Sequence, residues 1–370
     1  MWLYSLVLSF AACTPAAEKD SGKGGSADGD ADTDSDADSD ADSDADADSD
    51  ADADSDADAD ADADGSPCTT GPAVSWYHND AWEDVTASFS QALPATAMTI
   101  DGGEVLFCGG TWYTMLTTTG DVSLTGMNGA VLNGGGAGRV VTVGAAGTVG
   151  VADLTITAGL SANYGGGIDC EIAGAALTLS NVTLTANSAS AGGGAAALGC
   201  NLSIDGGAVT DNSGGLGGGL YIGGNDLVMT GVQVSGNRAT THYGGGVYAG
   251  TPRAGGSNLT LTDTLFTDNF AFYHGSALEL DFGSMALCTG TTAGAAGFLR
   301  GTVDSHVTNG DAVRLVDASS GPDPMFATNN CDFGADGSAN DNRPYDMVLP
   351  NGTVELGDAA TVSCSLSGCL

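Results

Sequence analysis

Between residues 159 and 279 one short pattern returns every 25 to 32 residues. Glycine-rich turns open at Gly165, Gly192, Gly217, Gly244 and Gly275, reading GGGID, GGGAA, GGGLY, GGGVY and GSALE. Asn187, Asn212, Asn237 and Asn269 stand five to seven residues ahead of the last four, and Gly159 takes that slot in the first copy. Counting back from each asparagine, the apolar positions coincide: Leu177, Leu179, Val182, Leu184; Leu202, Ile204, Gly207, Val209; Leu227, Met229, Val232, Val234; Leu259, Leu261, Thr264, Phe266. Alternation at i, i+2 specifies short strands, and the step of three between pairs specifies a sharp corner. Ile168, Ala195, Leu220, Val247 and Leu278 mark a third strand after each glycine turn. No helical period fits these positions.

One such unit cannot bury its apolar face, whereas stacked units can. Three strands per coil describe a parallel β-helix. The glycine turns supply positive φ and close approach of coil upon coil. The asparagine column reads as a ladder, because Asn tolerates left-handed backbone and its amide can bond the next coil. At about 4.8 Å per coil, roughly eight coils between residues 97 and 300 make a rod about 40 Å long.

The segments LTIT, LTLTAN, VTDN, VSGN and FTDN, each with its glycine turn, resemble the repeats of chlamydia-type polymorphic outer-membrane proteins. More broadly they resemble right-handed β-helix proteins of pectin-lyase-like fold. The resemblance covers about residues 150–285, and VLFCGGTWYTML with VSLTG (105–125) resembles the first coils of such proteins. It implies an all-β, right-handed, single-stranded parallel β-helix. The autotransporter barrel of that family has no counterpart after residue 300, and this departure favours anchoring by lipid.

Open coils expose strand edges and need covers. Asp80-Ala-Trp-Glu83 resembles a capping box. Trp82, Val85, Phe89 and Leu93 share one helical face, and Pro94 ends it, so 80–93 is expected to form an amphipathic helix over the first coil. Residues 301–370 lose the repeat and are expected to form an irregular cap stapled by disulfides. The chain has nine cysteines, eight of them beyond Cys13, and an even number in an exported chain suggests disulfides. Many connectivities are open; pairing of neighbours (Cys68–Cys108, Cys170–Cys200, Cys288–Cys331, Cys364–Cys369) is the simplest. No Cys-x-x-Cys pair offers a thiolate zinc site.

At the other end, residues 1–12 are short and apolar, and Cys13 follows. Ala11-Ala12-Cys13 resembles a bacterial lipoprotein signal, which implies lipidation of Cys13, and Thr14 after it implies the outer membrane. Phe10, where an aliphatic residue is usual, and the lack of a preceding Lys or Arg keep a plain secretory signal as the alternative. From Asp28 to Asp64 every second residue is Asp, 19 of the 47 acids in the chain. Like charges this close repel, and the run has no apolar face, so 14–66 reads as a disordered linker stretched by its own charge. Its roughly 50 residues reach about 160 Å at most. No cofactor is implied except calcium, gathered loosely on this run, since a disordered chain has no fixed cage.

The formal net charge is −39, and no lysine follows Lys23. Such a surface cannot neutralise phosphates, which excludes nucleic acid as a partner. No apolar run reaches the roughly 20 residues of a membrane-spanning helix. Polysaccharide-active enzymes of the resembled fold use clustered acids with Arg or Lys on one outer face. Here the outward slot after each glycine turn reads Asp169, Ala196, Tyr221, Tyr248, Glu279, which is no acid cluster. Asp211 and Asp268 precede their ladder asparagines two coils apart, about 10 Å. That separation suits an inverting acid–base pair; a role in turns is the competing reading. His242 and His274 read as turn residues rather than as a metal pair, and no metal site is expected. Tyr221 and Tyr248 should stack on one outer face, either as an exposed platform for sugar rings or protein or as cross-strand pairs that stabilise the sheet.

These features favour a surface-tethered β-helix with a non-catalytic role in adhesion, recognition or envelope structure, its partner an extracellular glycan or a surface protein. The competing readings are a polysaccharide hydrolase or lyase using Asp211 and Asp268, and a passive spacer whose partner binds the C-terminal cap. Nothing fixes the oligomeric state. Far-ultraviolet circular dichroism of residues 65–370 is expected to show a β spectrum; a mainly helical one would overturn the repeat reading.

Overall fold

The inward-facing positions read from the repeat align in register from coil to coil. A computed structural model describes residue 68, residues 71–333 apart from 252–254, 293, 304–310 and 317–322, and the strands at 345–348, 353–356, 364–365 and 368–369. The signal and lipobox (1–13, with Cys13) and the acidic linker (14–66) lie outside the described residues. The described chain is all-β: hydrogen bonds link its strands into sheets of twelve, nineteen and four, nearly closed around one core, and the single helical turn is 3-10, Thr86–Ser88. No helix among the described residues is long and apolar enough to cross a membrane.

Along the first face, Leu177 pairs with Leu202, Leu202 with Leu227 and Leu227 with Leu259. Along the second, Leu184, Val209, Val234, Phe266 and Phe298 stack in order. Along the third, Ile168, Ala195, Leu220, Val247 and Leu278 do the same. All these side chains are buried in one continuous core. Burying a leucine-sized side chain contributes about 1.5–3 kcal/mol, and the parallel register repeats that gain in every coil. This arrangement is compatible with a parallel β-helix. A fourth short strand follows Asn212, Asn237 and Asn269, at Ser213–Gly214, Arg238–Ala239 and Phe270–Ala271, one more than the three strands per coil expected from the repeat.

The asparagine ladder forms as expected. Asn187, Asn212, Asn237 and Asn269 are all at most 1% exposed. The Oδ1 of Asn237 accepts both the backbone N–H (3.1 Å) and the Nδ2–H (3.0 Å) of Asn212. The Nδ2 of Asn237 donates to the Val209 carbonyl (2.7 Å) and to Asn269 Oδ1 (3.1 Å). Gly159 closes the start of the ladder, donating its N–H to Asn187 Oδ1 at 2.9 Å. Each glycine turn begins in the left-handed region: Gly217 has φ +56°, and a Cβ there would collide with the Leu220 carbonyl oxygen.

Two expectations about the ends are corrected. Residues 80–93 do not form a capping helix. Ala73–His78 and Ala81–Asp84 form an antiparallel hairpin in which His78 pairs with Ala81. The two loop residues, Asn79 and Asp80, take φ of 50° and 62°, the demand of a two-residue hairpin turn. A helix N-cap needs extended backbone, so Asp80 cannot serve as one. Of the proposed helical face only Phe89 is buried, edge-on to Phe107 at 5.3 Å, whereas Trp82 and Leu93 are exposed. The hairpin pairs antiparallel with Gly103–Cys108 and ends the parallel stack there.

At the other end, parallel stacking does not stop at residue 300. Asp311–Leu315 pairs with Leu278–Leu280, Met325–Asn329 with Met285–Thr289, and Thr353–Leu356 with Met325–Asn329. The alternation persists after the Asn and glycine signals fade.

Three neighbour disulfides are present, Cys68–Cys108, Cys170–Cys200 and Cys288–Cys331, with Cα separations of 5.2, 6.0 and 6.3 Å. Cys364 and Cys369 face each other across an antiparallel pair; the fourth expected disulfide lies outside the described side chains.

Asn237→Ala should lower the unfolding free energy by about 2–4 kcal/mol, because it strands the buried Asn212 donors as well as removing its own bonds. Ser203→Ala, on the outer face of the first sheet, should stay within about 0.5 kcal/mol. Urea titration of both variants checks the contrast.

Candidate functional site

The slot after each glycine turn forms one column: Thr142, Asp169, Ala196, Tyr221, Tyr248, Glu279 and Arg314 are register neighbours in that order. Their flanking residues, such as Ile168 with Cys170 and Leu220 with Ile222, fill the core. Strand alternation therefore turns the column outward. Tyr221 and Tyr248 do stack, with ring centroids 5.5 Å apart, and Tyr164 stacks on Tyr221 at 5.8 Å.

Of the two readings open for Tyr221 and Tyr248, burial disfavours the exposed platform and fits cross-strand pairing, since these residues are only 7% and 5% exposed. The residues just ahead of each glycine turn fold over them. Tyr164, Leu216 and Tyr243 pack with Leu198 against Ala191, Ala196, Tyr221 and Tyr248 to make a second, external apolar cluster. Burial pushes the Tyr221 hydroxyl up to about 12 and the Tyr248 hydroxyl still higher. Tyr248 donates its O–H to Asp281 Oδ2 at 2.8 Å, which also opposes its ionisation.

Ionic groups bracket the ring column. At one end Arg139 Nε lies 3.3 Å from Asp169 Oδ2 and donates to the Tyr164 carbonyl at 2.9 Å. Asp169 is 4% exposed, and its Oδ1 has no hydrogen-bond partner among the described residues. Burial raises the Asp169 carboxyl to about 7, against the pull of Arg139 and with a further push from Glu171. At the other end Arg314 Nε lies 4.0 Å from Glu279 Oε1, and Glu279 is 1% exposed. Beside this end lies an accessible ring group: Tyr243 stacks on His274 (6.0 Å, 8°) and tilts against Tyr273 (5.7 Å), with His242 6.4 Å from Tyr273.

Asp211 and Asp268 occupy a corner in the left-handed region, at φ 55° and 56°. The equivalent corners hold Ala158, Ala186, Gly236 and Arg300, all with positive φ. Asp268 makes a two-pronged pair with Arg300 (2.7 and 2.6 Å), and these hydrogen bonds hold its carboxyl below the ordinary range. No third His, Cys, Asp or Glu joins any such group to make a metal cluster among the described residues.

The sequence reading missed Arg139, Tyr164, Tyr243, Tyr273 and Asp281. A signal was present for two of them, since Tyr164 and Tyr243 both stand directly before GGG. Comparison with models of protein families, with curated proteins and with solved structures finds no match.

The raised Asp169 carboxyl has a pH consequence. The folded state holds its proton up to about pH 7, whereas the unfolded chain releases it near the ordinary value of 3.8. Unfolding free energy should therefore fall as pH rises through that window, by about 1–3 kcal/mol after allowance for solvent and Arg139. Asp169→Asn should flatten this component, as denaturant titrations at pH 4.5 and 8 would show.

Proposed function

We propose that this chain is a surface-tethered, right-handed parallel β-helix with a non-catalytic role in recognition, adhesion or envelope structure. In this reading Cys13 carries the lipid that holds it to the outer membrane, and residues 14–66 lift the stacked domain away from the surface. The partner is an extracellular glycan or a surface protein. One observation carries the reading: an accessible ring group, Tyr243 and Tyr273 with His242 and His274, lies beside the covered Tyr221–Tyr248 column, while the candidate acids Asp211 and Asp268 sit at left-handed corners. Asp268 is tied to Arg300, and Asp211 belongs to a structural corner. Large rings with polar tips make effective contact surfaces because they bury much area with few rotatable bonds.

The second reading, a polysaccharide hydrolase or lyase, draws support from Asp169. A carboxyl protonated near neutral pH beside an arginine has the character of a general acid. Against it stands the 4% exposure of Asp169.

The test is incubation of the full chain, with calcium, against neutral and acidic polysaccharides, measuring both retention and released products. Retention without release is expected. Release abolished by Asp169→Asn, Asp211→Asn or Asp268→Asn would make the chain an enzyme.

A further inference from the structure

We propose that the ring group His242, Tyr243, Phe272, Tyr273 and His274 receives a guanidinium group presented by a protein partner; the proposal rests on the recognition reading above and names the chemistry of the partner.

The group is built across two successive coils. Tyr273 donates its backbone N–H to the His242 carbonyl (3.0 Å), and the Tyr243 ring stacks on His274 from the next coil. Phe272 meets Tyr273 edge-on at 4.7 Å and holds that ring in place. Tyr273 remains 41% exposed and His242 is exposed, so a partner can reach the ring faces.

Charge selects the kind of partner. The π faces of aromatic rings attract cations, the more so where nearby carboxylates add negative potential. Glu279 and Asp281 supply that potential: both hold up the ionisation of Tyr243, behind the larger effect of burial, and Arg314 offsets them only in part. With a net charge of −39, the chain attracts basic partners at long range.

The molecule already uses the same chemistry within itself. Arg238 lies over the Phe270 ring, its Cζ 3.8 Å from the centroid, and Phe270–Ala271 leads directly into Phe272 and Tyr273. A ring face on this flank thus takes a guanidinium from the preceding coil. Two residues further along, the neighbouring rings present the same chemistry to solvent. A planar guanidinium slides between tilted rings and hydrogen-bonds at its edge, which a compact ammonium does less well. A neutral sugar would gain nothing from the acidic field.

The probe is N-acetyl-arginine amide, with the uncharged citrulline analogue as control, titrated into the full chain while ring resonances are followed by nuclear magnetic resonance. The acidic run at 28–64 also gathers cations, so ring signals and ring variants report the site, not total uptake. Saturable shifts of the Tyr243 and Tyr273 signals are expected, with affinity about three- to tenfold weaker in Tyr273→Leu and retained in Tyr273→Phe. The citrulline analogue should not produce them. An equal response to citrulline, unmoved ring signals, or unchanged affinity in Tyr273→Leu would overturn the assignment. Because Tyr273 is exposed, Tyr273→Leu should keep the melting temperature of the parent, which separates loss of binding from loss of fold. If the ring signals stay still while the chain retains a glycan or surface protein, the guanidinium assignment fails and the recognition reading stands; if nothing is retained, both fail.

Discussion

Each ladder asparagine in the middle of the stack uses its side chain fully. Its oxygen takes two donors from the coil before, and its amide gives one hydrogen to a backbone carbonyl and one to the next asparagine. All of this happens at 0–1% exposure, where a missing partner costs about 1–3 kcal/mol. The ladder therefore tolerates only one register between neighbouring coils. A slip by one residue would leave buried amides unpaired and would also turn every strand inside out.

That fixed register makes an outer face possible. Spacing between ladder asparagines varies from 25 to 32 residues, yet the strands on either side remain aligned. The extra residues go into turns, not into strands. Rings placed before and after the glycine turns consequently meet across coils, although they are more than 20 residues apart in the chain. The left-handed corner before each asparagine constrains the face as well. It admits Asp211 and Asp268 for conformational reasons, which is why acids there are weak evidence for chemistry.

Much of this architecture was legible. The apolar columns, the ladder including Gly159 and the outward column from Asp169 to Glu279 follow from counting residues, and the three described disulfides match the simplest of the pairings left open. The N-terminal segment was misread because Trp82, Val85, Phe89 and Leu93 satisfy a helical period by coincidence. Asn79-Asp80 carried the stronger local signal, a pair of residues suited to positive φ between two alternating segments. The extension of parallel stacking past residue 300 was hidden because the punctuation changes there while the alternation continues.

Local pattern alone determined which residues point inward and how often the chain returns. Alternation, corner and turn are properties of a few adjacent residues, and repetition makes them additive. Burial on the outside was decided only by the tertiary structure. Tyr221 and Tyr248 face outward by strand alternation, yet Tyr164, Leu216 and Tyr243 fold over them. Whether a turn residue leans onto its neighbour or into water depends on contacts between coils, which no single repeat contains. The same holds for Asp169, whose carboxyl is raised by being covered, a condition invisible in the letters around it.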